Sequence, residues 1–199
     1  STAILFGDGA GAFVIEASSA QTALLGWELS CDGSLRDILH AEIGGTIVMS
    51  GQEVFRKAVI AMTESALTSI KNAGLSSEDI ALVIPHQANI RIVEALEKKL
   101  GLPNATTIKK VHRYGNTSAA SIPTAFVDAI EEGEIKGGET AVFTAVGAGL
   151  AWGACVVRLG DRVTPINTSD AKLPDFNGTA TDTIRKAIEY QVPDKLDNI

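Results

Sequence analysis

The longest regular hydrophobic pattern in the chain lies between Gly51 and Ala73, where Val54, Phe55, Ala58, Met62, Ala66 and Ile70 recur at helical spacing and Gly74 supplies the stop. This predicts the longest helix. A second helical pattern runs from about Asn89 to Leu100, ended by Gly101. A third reaches Glu132 from a cap at Thr117 or Ser118, with Pro123 tolerated in its first turns. Between the helices stand apolar runs of strand length: Ala23 to Ser30, Ala81 to Ile84, Thr106 to Val111, Thr140 to Val146 and Ala151 to Leu159. The stretch from Phe6 to Glu16 reads as a glycine turn feeding a buried strand, and Ser76 or Ser77 as the cap of a short turn. The last two strands are joined by Gly147-Ala148-Gly149-Leu150, a tight hairpin whose tip exposes backbone N–H groups. Helices interleaved with buried strands predict a layered α/β sheet. One core domain is expected over residues 1–159. Residues 160–199, richer in Asp, Thr, Pro and Asn, read as an extension packed on that core, with a short helix from Thr181 to Gln191 before Val192-Pro193.

Composition narrows the function. At 199 residues and 45% hydrophobic content the chain can bury a real core, which excludes a disordered protein. A net charge of −7 argues against general nucleic-acid binding. With so few cysteines a reducing, cytoplasmic location is the expectation; no apolar run is long enough to cross a bilayer, and Ser1-Thr2-Ala3-Ile4 has neither a basic region nor a cleavage site. Two cysteines, Cys31 and Cys155, are too few for a disulfide framework, and their spacing from the three histidines fits no common zinc pattern, so no metal is expected. The chain opens without Met on the strand-like run Ala3-Ile4-Leu5-Phe6, which reads as a fragment, a processed piece or an expression remnant.

The candidate chemistry sits at strand ends. Pro85 breaks the strand before it so that His86 projects from its end, and Asn116 lies at a strand-to-helix junction within Gly115-Asn116-Thr117-Ser118. A neutral imidazole and a carboxamide are both hydrogen-bond donors, and each stands just before a helix start, where unpaired N–H groups create a positive end. The pair is suited to holding negative charge on oxygen. A lone histidine after a strand is also commonly a packing residue; its placement beside Asn116 and the glycine hairpin favours the functional reading. His40 and His112 read as loop, packed or solvated residues. The cluster Gly7-Asp8-Gly9-Ala10-Gly11 lacks the spacing and the following helix of a phosphate cradle. No convincing nucleophile accompanies the two donors.

Three stretches, Ile84-Pro85-His86-Gln87-Ala88-Asn89-Ile90-Arg91-Ile92, Arg113-Tyr114-Gly115-Asn116-Thr117-Ser118-Ala119-Ala120-Ser121-Ile122-Pro123 and Gly147-Ala148-Gly149-Leu150-Ala151-Trp152-Gly153, closely resemble the C-terminal half of 3-oxoacyl-acyl-carrier-protein synthase III. Leu5 to Ala12 and Gly51 to Phe55 are similar to it as well, so the resemblance covers residues 1 to about 159 in unbroken order. It implies a thiolase-like fold of two similar α/β halves around a Cys–His–Asn trio, with His86 and Asn116 as the His and Asn. The cysteine belongs to an N-terminal half not contained in this sequence; neither Cys31 nor Cys155 stands in the matching context.

The implied reaction is a decarboxylative Claisen condensation of an acyl-CoA primer with a malonyl carrier protein, using CoA and phosphopantetheine thioesters as substrates and no resident cofactor. The resemblance further implies an oxyanion role for the backbone of Gly147, Ala148 and Gly149, and positions along a pantetheine tunnel for Asn89, Gly51 and Phe55, the last of which reads equally as core packing. Arg91, Lys98, Lys99, Lys109, Lys110 and Arg113 cluster in sequence and offer an acidic acyl carrier protein a landing surface, with Arg91 the best single docking residue; a solvated helix face is the plain reading of the same charges. The complete enzyme is expected to be a homodimer. A non-catalytic partner subunit or acyl-binding module, and a related acyltransferase or polyketide starter enzyme, are the alternatives.

Overall fold

The computed structural model describes residues 3–15, 17, 23–43, 45–164, 172 and 177–191. Its strands are β1 (Leu24–Cys31), β2 (Leu39–His40), β3 (Val48–Met49), β4 (Leu82–Pro85), β5 (Thr106–Thr107), β6 (Thr140–Gly147) and β7 (Ala151–Arg158). Its helices are α1 (Gly51–Asn72), α2 (Ile90–Leu100), α3 (Val111–Tyr114), α4 (Ser121–Glu131) and α5 (Ala180–Gln191). Five strands form a mixed sheet in the order β1-β7-β6-β4-β5, with β4 parallel to β5 and β6, and β7 antiparallel to β6 and β1. β2 and β3 make a separate small hairpin.

Strand alternation divides the core into two layers. Val83, Val142, Ala154 and Val156 meet Ala58, Met62, Ile92 and Leu96 from α1 and α2, whereas Leu82, Ile84 and Ala141 meet Ala125 and Ala129 of α4 with Ile108 beside them. Met62, Ile84 and Leu96 are fully buried, each contributing about 1.5–3 kcal/mol by leaving water. The sheet is therefore covered on both faces, and its chemistry is left to its edges. Asn89 caps α2, its side chain accepting the Arg91 N–H, and Gly101 in the left-handed region closes that helix.

Three expectations need correction. Residues 7–15 form no regular strand: only Phe6 bridges, to Asn116, and Val14 and Ile15 are 97% and 90% exposed. The Glu16 end of that expectation lies outside the described residues. The strand expected over Thr106 to Val111 stops at Thr107, because the Gln87 carboxamide oxygen accepts the N–H groups of Lys110 and Val111 and turns the chain into α3. Neither Thr117 nor Ser118 caps the next helix. Asn116 Oδ1 accepts the Ser118 N–H, a 3-10 turn follows over Ser118–Ala120, and α4 begins at Ser121. The short tail helix is present as α5, one residue earlier than expected, while Val192-Pro193 lies outside the described residues.

Candidate functional site

The strand directions bring several sequence-predicted residues to one edge of the sheet. β4 and β6 run parallel and end at Pro85 and Gly147; β7 begins there at Ala151, and β1 ends there at Cys31. The carboxyl ends of parallel strands are where α/β sheets bind ligands, because loops can converge there without breaking the ladder. His86 continues β4 by one bond, its N–H donating to Thr144 O (2.8 Å).

Largely buried, the imidazole of His86 is pulled down to a pKa of about 4 by loss of solvation and is neutral at pH 7. Its Nδ1 lies 2.6 Å from the hydroxyl of Ser121. The adjacent Gln87, 2% exposed, spends its whole carboxamide on backbone: Nε2 donates to Pro85 O (2.7 Å) and Ile108 O (3.1 Å), and Oε1 accepts from Lys110 N (2.8 Å) and Val111 N (3.2 Å). His86 and Gln87 thus grip both ends of the segment 110–121, and Asn116 stands between the two grips.

Asn116 is held from its other side by the N-terminal segment. Its N–H donates to Leu5 O and its carbonyl accepts from Gly7 N, both at 3.0 Å. With Oδ1 engaged by Ser118 N at 2.9 Å, the Nδ2–H groups remain as its available donors. The alternating glycines of the rejected phosphate motif find their reason here. A Cβ on Gly7 would collide with the Tyr114 carbonyl, one on Gly11 with Pro123, and one on Gly9 would press on Thr117 at 3.0 Å. The bare face of this segment lets it lie flush against Tyr114 to Pro123.

The β6–β7 turn presents Gly147 and Ala148 to solvent. It contains a cis Gly149-Leu150 peptide, and Leu150 is wholly buried with its carbonyl accepting Asp32 N at 2.8 Å. Gly51 opens α1, and a side chain there would meet nothing within 4 Å. One turn on, the ring of Phe55 lies under the Arg91 guanidinium, 5.9 Å from its centroid. Asn89 joins this second group through its cap on Arg91 N. No described hydrogen bond links the Asn89–Arg91–Phe55 group to His86 or Asn116.

Half of the basic cluster is engaged in internal ion pairs, which narrows the landing surface expected from the sequence. Lys110 is 6% exposed and pairs with Glu132 (2.6 Å) and Glu134 (3.0 Å); Lys109 pairs with Glu97 (2.6 Å); Arg113 pairs with Asp128 (3.0 Å) and Glu132 (3.4 Å). Burial lowers the Lys110 pKa, but the hydrogen bonds and charges of Glu132 and Glu134 outweigh it and hold the ammonium above the usual lysine value. Arg91, Lys98 and Lys99 remain exposed, and Arg91 makes no ion pair among the described residues. Ser121, Gln87 and Asp128 were not singled out from sequence. The available signal was a polar residue at an otherwise apolar position, as with Asp128 on the buried face of α4.

Cys155 is partly buried within β7 and burial pushes its thiol up, away from the reactive thiolate. Cys31 is exposed opposite Ala151, three strands from β4, or roughly 14 Å at the usual strand spacing. Among the described residues no group of His, Cys, Asp and Glu is arranged to hold a metal ion, and no helix is long and apolar enough to cross a membrane.

The mixed sheet covered by helices on both faces is that of a thiolase-like α/β fold, as superposition with solved relatives shows. The solved structure of 3-oxoacyl-[acyl-carrier-protein] synthase III from Aquifex aeolicus superposes with a TM-score of 0.67 at 43% identity, over 71% of this chain and 46% of that one. Residues 70–159 match the family model of 3-oxoacyl-[acyl-carrier-protein] synthase III C terminal, and residues 1–33 that of 3-oxoacyl-[acyl-carrier-protein] synthase III. The beta-ketoacyl-[acyl-carrier-protein] synthase III 2 of Vibrio cholerae is 42% identical over 202 residues, covering 95% of this chain and 56% of that relative. The beta-ketoacyl-[acyl-carrier-protein] synthase III of Aquifex aeolicus is 46% identical over 158 residues, covering 79% and 51%. The chain belongs to the 3-oxoacyl-[acyl-carrier-protein] synthase III family and spans about half the length of the curated relatives it matches.

Proposed function

We propose that this chain supplies the decarboxylation and enolate-stabilising part of a condensing site, His86 and Asn116 acting together with a nucleophilic cysteine carried by an N-terminal half. The observation that carries the reading is the double grip of His86-Gln87 on the Asn116 segment, which sets two neutral donors at one sheet edge with the imidazole uncharged. A cysteine thioester forms from an acyl-CoA, releasing CoA. A malonyl thioester on an acyl carrier protein then loses its carboxylate as CO2, and the electron pair of the broken C–C bond flows onto the thioester oxygen as an enolate. His86 and Asn116 donate hydrogen bonds to that oxygen. The enolate carbon attacks the acyl carbonyl, a new C–C bond forms, and the cysteine thiolate leaves.

Backbone N–H groups of Gly147, Ala148 and Gly149 serve the oxyanion formed in acyl transfer. Asn89, Gly51 and Phe55 line the approach of the pantetheine arm, and Arg91, exposed beside them, meets the acidic carrier. Initiation of fatty-acid synthesis is the pathway role we assign, with the complete enzyme a cytoplasmic homodimer. Residues 1–159 form its thiolase-like portion, and 160–199 an extension on the core.

The test is made in the enzyme assembled with its cysteine-bearing half. His86→Ala is expected to lower decarboxylation of the malonyl thioester by about 10²-fold or more while acylation of the cysteine continues. Asn116→Asp, which replaces a donor with a charge beside the enolate, should act in the same direction. Condensation at the normal rate in either variant removes that residue from the role.

A further inference from the structure

We propose that Ser121 fixes which nitrogen of His86 carries the proton, so that the ring presents Nε2–H to the reacting oxygen. The inference deepens the reading above and rests on it only for its catalytic consequence. Ser121 opens α4 and is 2% exposed. Its oxygen lies 2.6 Å from His86 Nδ1 and 3.2 Å from the backbone nitrogen of Gln87. An amide N–H can only donate, so at Gln87 the hydroxyl oxygen accepts. The hydroxyl has one proton of its own, and Nδ1 is the one acceptor that the described contacts offer it.

In a neutral imidazole one nitrogen donates and the other accepts. With Nδ1 accepting from Ser121, the proton resides on Nε2. The opposite tautomer would have Nδ1–H donate to the hydroxyl and leave the serine proton buried without an acceptor among these contacts, which is the costlier arrangement. The residue type follows from this task. Ser121 is the first helical residue of α4, with Ala120 at the cap position, so its hydroxyl has no capping duty there and lies against the ring. Ser121 touches no reacting atom in this scheme; it is a positioning residue acting through His86.

The experiment is nitrogen NMR of the complete protein labelled with [15N]histidine near pH 7, the His86 signals being assigned by their loss in His86→Gln. The wild type is expected to show a protonated Nε2 and an unprotonated Nδ1. In Ser121→Ala the two nitrogen signals should move toward each other as tautomers exchange, and decarboxylation should fall at least about tenfold, against the 10²–10³ that removal of a donor itself costs. Ser121→Thr, which keeps the hydroxyl, should restore both readouts. A protonated Nδ1 in the wild type, or an unmoved tautomer in a folded Ser121→Ala, overturns the proposal. Signals that move while turnover stays normal uphold the tautomer lock and instead remove His86 from its donor role.

Discussion

Burial makes His86 a neutral residue, and that has a stability consequence which the donor role does not require. In the unfolded chain its imidazole takes up a proton near pH 6.5; in the folded chain it does so only near 4. Between those values the unfolded state binds more protons, so folded stability rises with pH through the window and is lost as pH falls through it. Integrated from pH 7 to pH 5, this one residue should remove about 2 kcal/mol of stability. Urea unfolding at the two pH values, for the wild type and for His86→Gln, checks this. The pH-dependent loss should shrink by that amount in the variant, and an equal loss in both would mean that burial does not hold the ring neutral. His86 was legible in the sequence as the residue just past an apolar strand run, although Pro85 does not break that strand as expected: it pairs with Thr144 as the last residue of β4, and the His86 N–H carries the ladder one bond further. Ser121 was hidden, since a helix expected to start from a cap at Thr117 or Ser118 makes it an ordinary interior position.

Among the elements, the join between β4 and the segment that follows β5 carries the site's geometry, and one side chain makes it. Gln87 satisfies two carbonyls and two N–H groups that would otherwise be buried without partners. Gln87→Leu keeps the volume and removes all four bonds, so it is expected to cost at least about 3 kcal/mol, read as a lowered midpoint in chemical unfolding. A loss under 1 kcal/mol would show that water replaces the carboxamide. The same residue explains a limit of the sequence reading. α1 and α2 were legible because helical periodicity is local, whereas the expected strand is cut short where a side chain from another element takes the N–H groups of Lys110 and Val111. Phe13, Val14 and Ile15 read as a strand from their hydrophobicity, yet a strand is defined by its partner, and among the described residues none pairs with them. The glycines at 7, 9 and 11 were legible as a motif but not as a flat face, because what they lie against is more than a hundred residues away.

Taken whole, the molecule gathers hydrogen-bond donors at one sheet edge, and neither of its cysteines is hydrogen-bonded to them among the described residues. Its two cysteines are a partly buried thiol pushed away from ionisation and an exposed one three strands from His86. Two places in the fold carry exposed apolar side chains: Phe13, Val14 and Ile15 on the N-terminal segment, and Leu24, Trp27 and Leu29 on the outer strand β1, are all more than half exposed. Exposed apolar side chains on an unpaired edge strand are unfavourable in water and ordinarily meet protein. Both features favour the same expectation, that condensation needs a cysteine-bearing half supplied with this chain. A denaturing intact-mass spectrum of the purified material, paired with a condensation assay on it, tests the point. Active material should contain, besides these 199 residues, a polypeptide carrying a cysteine that an acyl-CoA labels. Material holding this chain alone should release no CO2 from the malonyl thioester above background and form no acyl-enzyme. Sustained condensation by the single chain would require Cys31 or Cys155 to be the nucleophile, and the assignment of the thiol to another half would then fall.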